Sequence, residues 1–305
     1  MRNISQKLLV LLNDASYLFS KEYPRCNKRG LFLDYLRIRA KASLNRWMHF
    51  KSEHFLSYTV EVLDYNIFLA EFRQIFVRQV YYPTTSASSP RIFDCGGNIG
   101  ISVLYWKHVF PDAQVTVFEP SKEVVEVLKK NIEANNLTDI RVVESAVSDR
   151  KGTAKIYIRG SIAEGNTLSQ DVWSATPTKG NRVSYEIQTV KLSDFMNGPV
   201  DVLKLDIEGS EGAVIRELSQ AGKLKLVGEC VMEFHYYPTA PDNALPTLLA
   251  ELHSAGFETQ FYFEEHPSNV QFELMKHGSY VFNIRTSLTT ALSEQYAALS
   301  HAAEA

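Results

Sequence analysis

The sequence predicts an α/β protein built on a seven-stranded, mostly parallel sheet. Helices should cover both faces, the last strand should be antiparallel, and a helical extension should precede the sheet. From Arg91 onward, strand-like apolar runs alternate with helix-like patterns, which is typical of a parallel sheet. A glycine-containing turn joins the first run to the first helix. The final two runs follow each other without a helical pattern, which predicts the antiparallel strand.

The bulk composition indicates a globular protein with a small-molecule partner. The chain has 305 residues, of which 45% are hydrophobic and 22% are charged, which predicts a substantial core. Its net charge of -3 gives no bulk attraction to nucleic acid. No window has the 18 or more apolar residues of a membrane span, and the first apolar run is too short for a signal peptide. The sequence does not indicate an oligomeric state.

Cysteine usage favours a reducing cytoplasm. The three cysteines are far apart and none belongs to a CxxC pair. Two of them fall in apolar runs, where a buried free thiol is the usual case. We therefore expect a cytoplasmic protein without a disulfide framework.

The chain divides into three parts by pattern. Residues 1–85 repeat apolar residues at helical spacing, for example over 60–80, and predict a helical cap. Residues 86–286 predict the main domain, with an inserted substrate loop at 152–196. Residues 287–305 predict a C-terminal tail.

Element positions follow from the same patterns. Strands are expected near residues 91–95, 114–119, 140–147, 201–207, 226–234, 257–263 and 279–285. Helices are expected near residues 99–109, 121–135, 210–221 and 243–254. Within the insertion we expect a hairpin over 153–159, a polar loop over 160–181 that carries Trp173, and an extended run over 184–190.

The stretch from Arg91 to Gly100 predicts a ligand cradle. It contains an apolar strand, the acid Asp94, a glycine cluster and the start of a helix. Glycine allows backbone angles that other residues avoid, and it lets a ligand approach the chain closely. The first N–H groups of the following helix favour an anionic group. By itself this pattern predicts a nucleotide-like ligand.

Two further strand ends extend the predicted ligand site. Glu119, followed by Pro120, ends the second strand, where an acid can accept hydrogen bonds from both ribose hydroxyls. The alternative role is a capping carboxylate for the next helix. Ser145 and Ala146 end the third strand, where small side chains leave room for an adenine ring, although a plain strand end explains them almost equally well.

The fourth and fifth strands end in ionisable residues. Asp206 and Glu208 should share one face with Lys204, whereas Glu211 has an alternative role as an acid at a helix N-terminus. His235 follows the fifth strand at the same edge and could exchange a proton near neutral pH. A structural role for this histidine is an equal alternative.

Taken together, these motifs resemble the FkbM-type methyltransferase family over residues 64–285. The resemblance is carried by Asp94-Cys95-Gly96-Gly97-Asn98-Ile99-Gly100, Phe118-Glu119-Pro120, Asp206-Ile207-Glu208-Gly209-Ser210-Glu211 and Glu233-Phe234-His235. It implies an S-adenosylmethionine-dependent O-methyltransferase with the class I methyltransferase fold. The acceptor would be a hydroxyl of a small molecule or sugar, in a glycan, glycolipid or natural product.

The resemblance also implies a role for each matching residue. The cofactor would be held by Asp94, Gly96, Gly97, Asn98, Gly100, Glu119, Pro120, Ser145, Ala146 and Asp206. The reacting centre would be faced by His235, Asp206 and Glu208. Glu233 would contact the acceptor. Apart from the resemblance, we expect the 160–181 loop and the N-terminal helices to shape the acceptor pocket, with Trp173 and Tyr236 as candidate stacking surfaces for a sugar or aromatic ring.

An alcohol acceptor needs a proton acceptor or a stabilising cation. One hypothesis assigns the base to His235, alone or paired with Asp206. A second hypothesis places a divalent metal such as magnesium on Asp206, Glu208 or Glu233 together with His235. A metal is not expected, because the sequence has no compact ligand motif.

Two other functions compete with methyl transfer. A nicotinamide-dependent oxidoreductase would share the glycine loop and Glu119, but it would normally have the pattern G-x-G-x-x-G, which Asn98 interrupts. A catalytically inactive methyltransferase-fold scaffold is the non-enzymatic alternative. Intact acids at each expected strand end argue against a scaffold.

Overall fold

The computed structural model describes residues 4–20, 27–158, 167–168, 183–236, 244–262 and 280–288. Its N-terminal region contains helices, a hairpin and a π-helical turn. These elements are α1 (Ile4–Leu18), α2 (Lys28–Met48), β1 (Ser52–Phe55), β2 (Tyr58–Glu61), α3 (Tyr65–Phe72) and the π-helix Arg73–Val77. No helix among the described residues is long and apolar enough to cross a membrane.

The prediction of an all-helical N-terminal region is wrong for residues 52–61. Strands β1 and β2 pair antiparallel there, and side chains alternate between buried and exposed along both strands. The turn between them places Leu56 at φ 50°. Hairpin turns with positive φ usually contain glycine or asparagine, and neither residue is present in this turn to indicate it.

The N-terminal region and the sheet share one hydrophobic core. Phe55 packs against Phe72 and Phe76, with ring centroids 4.9 and 5.1 Å apart. Phe76 in turn contacts Tyr105, at 5.4 Å. The same cluster of buried side chains continues into the first strands of the sheet. The boundary predicted at residue 85, between a helical cap and the main domain, remains a proposal. Buried side chains on both sides of that position belong to the same core.

The main sheet has seven strands in the order β11-β12-β10-β9-β3-β4-β5. The strands are β3 (Arg91–Cys95), β4 (Gln114–Phe118), β5 (Ile140–Val143), β9 (Val200–Leu205), β10 (Val227–Tyr236), β11 (Phe257–Tyr262) and β12 (Tyr280–Leu288). The helices are α4 (Ile101–Val109), α5 (Lys122–Ala134), α6 (Glu211–Gln220) and α7 (Leu245–Ser254). Strand β12 is antiparallel to both neighbours, so the predicted antiparallel last strand is confirmed.

The sheet order locates the ligand crevice. Chain progression reverses between β3 and β9, which pair in parallel as neighbours. In open α/β sheets, ligands bind at the carboxyl ends of the strands beside such a reversal. The ends of β3 and β9 carry the glycine loop and Asp206, respectively.

The insertion between β5 and β9 forms a second sheet. Strands β6 (Ala146–Ser148), β7 (Gly152–Ile158) and β8 (Val183–Lys191) have the order β6-β8-β7. The predicted hairpin over 153–159 is wrong, because β7 is one strand whose antiparallel partner is β8. The polar loop with Trp173 and the tail from residue 289 lie outside the described residues, apart from Thr167 and Leu168.

Candidate active site

A cavity at the carboxyl edge of the sheet brings most of the predicted site residues together. Those that line it are Gly96, Asn98, Glu119, Pro120, Ser145, Ala146, Asp206, Glu208 and Glu233. Asp94, Gly97, Gly100, His235 and Tyr236 are not among its lining residues. Trp173 lies outside the described part of the chain. One cavity therefore joins the predicted cofactor residues to acids of the predicted reacting centre.

The glycine loop (residues 94–100) turns sharply out of β3. Gly96 has φ +86°, and its N–H donates to the carbonyl oxygen of Phe118 at 2.9 Å. A Cβ on Gly96 would lie 1.8 Å from the carbonyl oxygen of Asp206. The loop therefore presses directly against the end of β9, and a side chain does not fit between them.

Gly96→Ala is expected to lower the free energy of unfolding by at least about 3 kcal/mol, since a strained φ and a backbone clash add together. Gly222→Ala is the matched control. Gly222 also has positive φ, at +66°, but no atom lies within 4 Å of its added Cβ, so the cost should be about 1–2 kcal/mol. Urea denaturation of both variants measures the difference, and equal losses would contradict the close approach at Gly96.

Asp94 stabilises the glycine loop through contacts with Trp106 and Lys204. Its Oδ2 accepts a hydrogen bond from Trp106 Nε1 at 2.9 Å, and its Oδ1 lies 3.2 Å from Lys204 Nζ. Lys204 also donates to the carbonyl oxygen of Gly96 at 2.7 Å. Burial alone would lower the pKa of Lys204, but Asp94 and Asp206 raise it above its ordinary value. A direct contact between Asp94 and a cofactor stays a prediction.

Glu119 is buried at the end of β4. Its Oε2 accepts from the backbone N–H of Asn98 at 3.1 Å, and its Oε1 accepts from the N–H of Ser121 at 3.0 Å. The second contact matches the alternative capping role, while exposure to the cavity matches the ribose role. Burial raises the pKa of Glu119 to about 7, although both hydrogen bonds oppose that shift.

Ser145 and Ala146 lie at a break in the predicted third strand. Strand β5 ends at Val143, whose carbonyl oxygen accepts from the Ser145 N–H at 2.9 Å. Ala146 then begins β6 in the second sheet. Both residues line the cavity, and an adenine contact stays a prediction.

An acidic cluster, composed of Asp206, Glu208 and Glu233 around the imidazole of His235, occupies the other side of the cavity. His235 Nε2 lies 3.5 Å from Glu208 and 3.6 Å from Glu233. Its Nδ1 lies 3.1 Å from Glu211. Glu211 is fully buried and also accepts from the N–H groups of the turn before α6, so it has a structural role in this turn.

His235 is surrounded by negative charge. Burial alone would lower its pKa, but Glu208, Glu211 and Glu233 outweigh burial and raise the pKa well above 6.5. The surrounding carboxylates therefore favour the protonated form of the imidazole. A cationic imidazole has no free lone pair with which to accept a proton.

Part of the acidic cluster has the spacing of a metal site. Within the described residues, ligand atoms of Asp206, Glu233 and His235 all lie within 4.8 Å of one another. Glu208, which the sequence placed in the alternative metal set, is not in this group. Carboxylates with one imidazole are compatible with a divalent cation.

The sequence singled out no individual residue of the N-terminal region for the site. Tyr81 is buried, and its hydroxyl donates to Asp206 Oδ2 at 3.2 Å. Helix α3 supplies Glu71, whose Oε1 accepts from Asn98 Nδ2 at 2.5 Å. Nothing in the local pattern marks Tyr81, whereas Glu71 stands out as an acid in a largely apolar helix.

Comparisons with known proteins identify a family for this chain. Residues 94–259, more than half of the chain, match the family model described as methyltransferase FkbM domain. Methyltransferase sdnD of Sordaria araneosa is 25% identical over 214 residues, covering 61% of this chain and 81% of that protein. The 31-O-demethyl-FK506 methyltransferase FkbM of Streptomyces tacrolimicus is 26% identical over 216 residues, covering 61% and 80%.

Among solved structures, methyltransferase FkbM from Methylobacillus flagellatus KT aligns with a TM-score of 0.42 and 13% identity, covering 92% of this chain and 59% of that chain. The family match spans the glycine loop, the end of β4 and the acidic cluster. The order of the main sheet, with its antiparallel β12, is that of the class I methyltransferase fold. The chain belongs to the FkbM methyltransferase family.

Proposed function

We propose that this protein is an S-adenosylmethionine-dependent O-methyltransferase acting on a hydroxyl group of a small molecule or sugar. The observation that carries the proposal is the shared cavity, which the glycine loop, Glu119 and the acidic cluster line together. The loop would hold the methionine part of the cofactor and Glu119 the ribose, with Ser145 and Ala146 beside the adenine. A cofactor held in this way would direct its activated methyl group toward the acids.

Transfer to oxygen is supported by the chemistry of the cluster and by one relative. Carboxylates suit the removal of a proton from an alcohol as it attacks the methyl carbon. The Streptomyces tacrolimicus relative is named for methylation at an oxygen. The acceptor would lie against Glu233 at the cavity wall, with Tyr236 and Trp173 as further candidates for contact with a sugar or aromatic ring.

We assign the proton acceptor to Asp206 rather than to His235. Asp206 lines the cavity and keeps 28% of its side chain exposed, so an acceptor hydroxyl can reach it. His235 is buried and does not line the cavity, and the carboxylates around it favour its protonated form. It contacts Glu208 and Glu233. Its role would be to hold these two carboxylates in place beside the acceptor.

A divalent cation on Asp206, Glu233 and His235 is the alternative form of assistance, and the distances within this group are compatible with it. The imidazole would bind the cation in its neutral form, so the cation would take the place of the proton. A cation there would lower the pKa of the acceptor hydroxyl. Activity that survives a strong chelator removes this alternative. Activity that is lost with the chelator and restored by added magnesium or manganese would rule out the mechanism in which Asp206 acts without a metal.

Cofactor affinity is expected to depend on the ionisation of Glu119. The pKa of Glu119 is about 7, so the carboxyl group must lose its proton before it can accept from both ribose hydroxyls. Affinity for S-adenosylhomocysteine should therefore be constant above about pH 8 and fall about tenfold for each unit below pH 7. Calorimetric titration from pH 5 to 9 measures this dependence. Glu119→Gln should bind weakly at every pH, and the same slope in that variant would contradict the assignment.

The reaction is tested by incubating the protein with labelled S-adenosylmethionine and lysate fractions of the host, followed by mass identification of methylated species. The proposal expects label in a hydroxyl-bearing small molecule or glycan. Label on nitrogen or carbon would contradict oxygen transfer.

We also propose a cytoplasmic location, which is supported by the buried free thiols of Cys95 and Cys230.

A further inference from the structure

One face of α3 forms a wall of the cavity. Ile67, Ala70 and Glu71 line it, and their spacing of i, i+3 and i+4 places them on one side of the helix. Gln74, in the π-helix that follows, also lines the cavity. The opposite face of α3 is buried in the aromatic core. Of the four lining side chains, Glu71 alone can carry a charge.

Glu71 is tied to the glycine loop through Asn98. Its Oε1 accepts from Asn98 Nδ2 at 2.5 Å, while the backbone N–H of Asn98 donates to Glu119 Oε2 at 3.1 Å. Asn98 has φ +44°, and its own Oδ1 accepts from the Ile99 N–H at 2.8 Å. Asn98 therefore connects the carboxylates of Glu71 and Glu119, and the two hydrogen bonds fix the position of the loop.

The two carboxylates fit different parts of S-adenosylmethionine. Glu119 suits the neutral ribose hydroxyls, as proposed above. The methionine part carries an α-ammonium group, which needs an anionic partner once it leaves water. Asp206, Glu208 and Glu233 belong to the acidic cluster, which is proposed above to face the acceptor. Glu71 is the remaining acid of the cavity lining, and it contacts the loop through Asn98.

We propose that Glu71 binds the α-ammonium group of the methionine part of S-adenosylmethionine, an inference that rests on the proposed function. A carboxylate and an ammonium form a charge-assisted hydrogen bond, which is stronger than a neutral one. Glu71 precedes residue 94, where the family match begins. The N-terminal region would therefore supply a cofactor contact from outside the matched segment.

The test compares S-adenosylhomocysteine with its analogue that lacks the α-amino group, by calorimetric titration of the full chain. Glu71→Gln keeps the size of the side chain and an oxygen to accept from Asn98, so the loop contact is retained. This variant should bind S-adenosylhomocysteine about 10- to 100-fold more weakly. Its affinity for the desamino analogue should match that of the wild-type protein.

Glu61→Gln is the matched control, because Glu61 is an exposed glutamate paired with Lys130, and both affinities should stay unchanged there. An equal loss for both ligands in Glu71→Gln would overturn the inference, since it would indicate a loop-positioning role alone. Unchanged affinity for S-adenosylhomocysteine would also overturn it. If the wild-type protein binds neither ligand, the proposed function itself fails, and this inference fails with it.

Discussion

Replacement of Asp206 with asparagine is expected to slow methyl transfer about 10²- to 10⁴-fold at saturating cofactor and acceptor, the usual contribution of a positioned general base. An asparagine amide cannot accept the proton of an alcohol at neutral pH. Its oxygen can still accept from Tyr81, which donates to Asp206 Oδ2, so the fold should be retained. Cofactor affinity should change far less than turnover. Single-turnover kinetics with labelled S-adenosylmethionine separates the two effects.

Asp112→Asn is the control for this prediction. Asp112 is exposed before β4, at the opposite edge of the sheet, so turnover should match that of the wild-type protein. Wild-type turnover in Asp206→Asn would remove Asp206 as the proton acceptor. A chelator-sensitive rate in the wild-type protein, together with loss of bound metal in the variant, would instead identify Asp206 as a ligand.

The second large effect is expected at Lys204. Lys204→Met should lower the free energy of unfolding by about 3–5 kcal/mol, because removing one partner of a buried ion pair leaves the other charge uncompensated. Lys204 and Asp94 face each other across β3 and β9, and both are almost fully buried. Chemical denaturation measures the loss. Lys130→Met, at a pair that is mostly exposed, should cost no more than about 1 kcal/mol.

A double variant identifies the cause of that loss. If the loss comes from the buried carboxylate of Asp94 that is left without its cationic partner, adding Asp94→Asn to Lys204→Met should recover part of the stability. Additive losses would indicate that the two residues do not interact, since independent sites usually add. Lys204 also donates to the Gly96 carbonyl, so Lys204→Met should also lower cofactor affinity. That loss of affinity should persist in the double variant, even where stability recovers.

Features that depend on neighbours in the chain could be predicted from the sequence. The strand of Arg91–Cys95, its glycine turn and the following helix form one local unit, and the structure has all three. The carboxyl ends of parallel strands converge on one edge, so Glu119, Asp206 and Glu233 could be predicted to lie near one another. The cavity lining contains all three.

Features that depend on distant contacts could not be predicted in this way. The contact between Tyr81 and Asp206 joins residues 125 positions apart, and no local pattern marks it. The charge state of His235 depends on three carboxylates that only the fold brings together. The β1–β2 hairpin was missed because its turn lacks the residues that usually mark positive φ.

The cavity is proposed to hold S-adenosylmethionine, with Glu119 on its ribose. Calorimetric titration of the full chain with S-adenosylmethionine, beside the same titration with NADH, tests it most directly. We predict one-to-one binding of S-adenosylmethionine, no binding of NADH, and affinity reduced by about tenfold or more in Glu119→Ala. Binding of NADH, or no heat with S-adenosylmethionine at millimolar concentration, would contradict the claim.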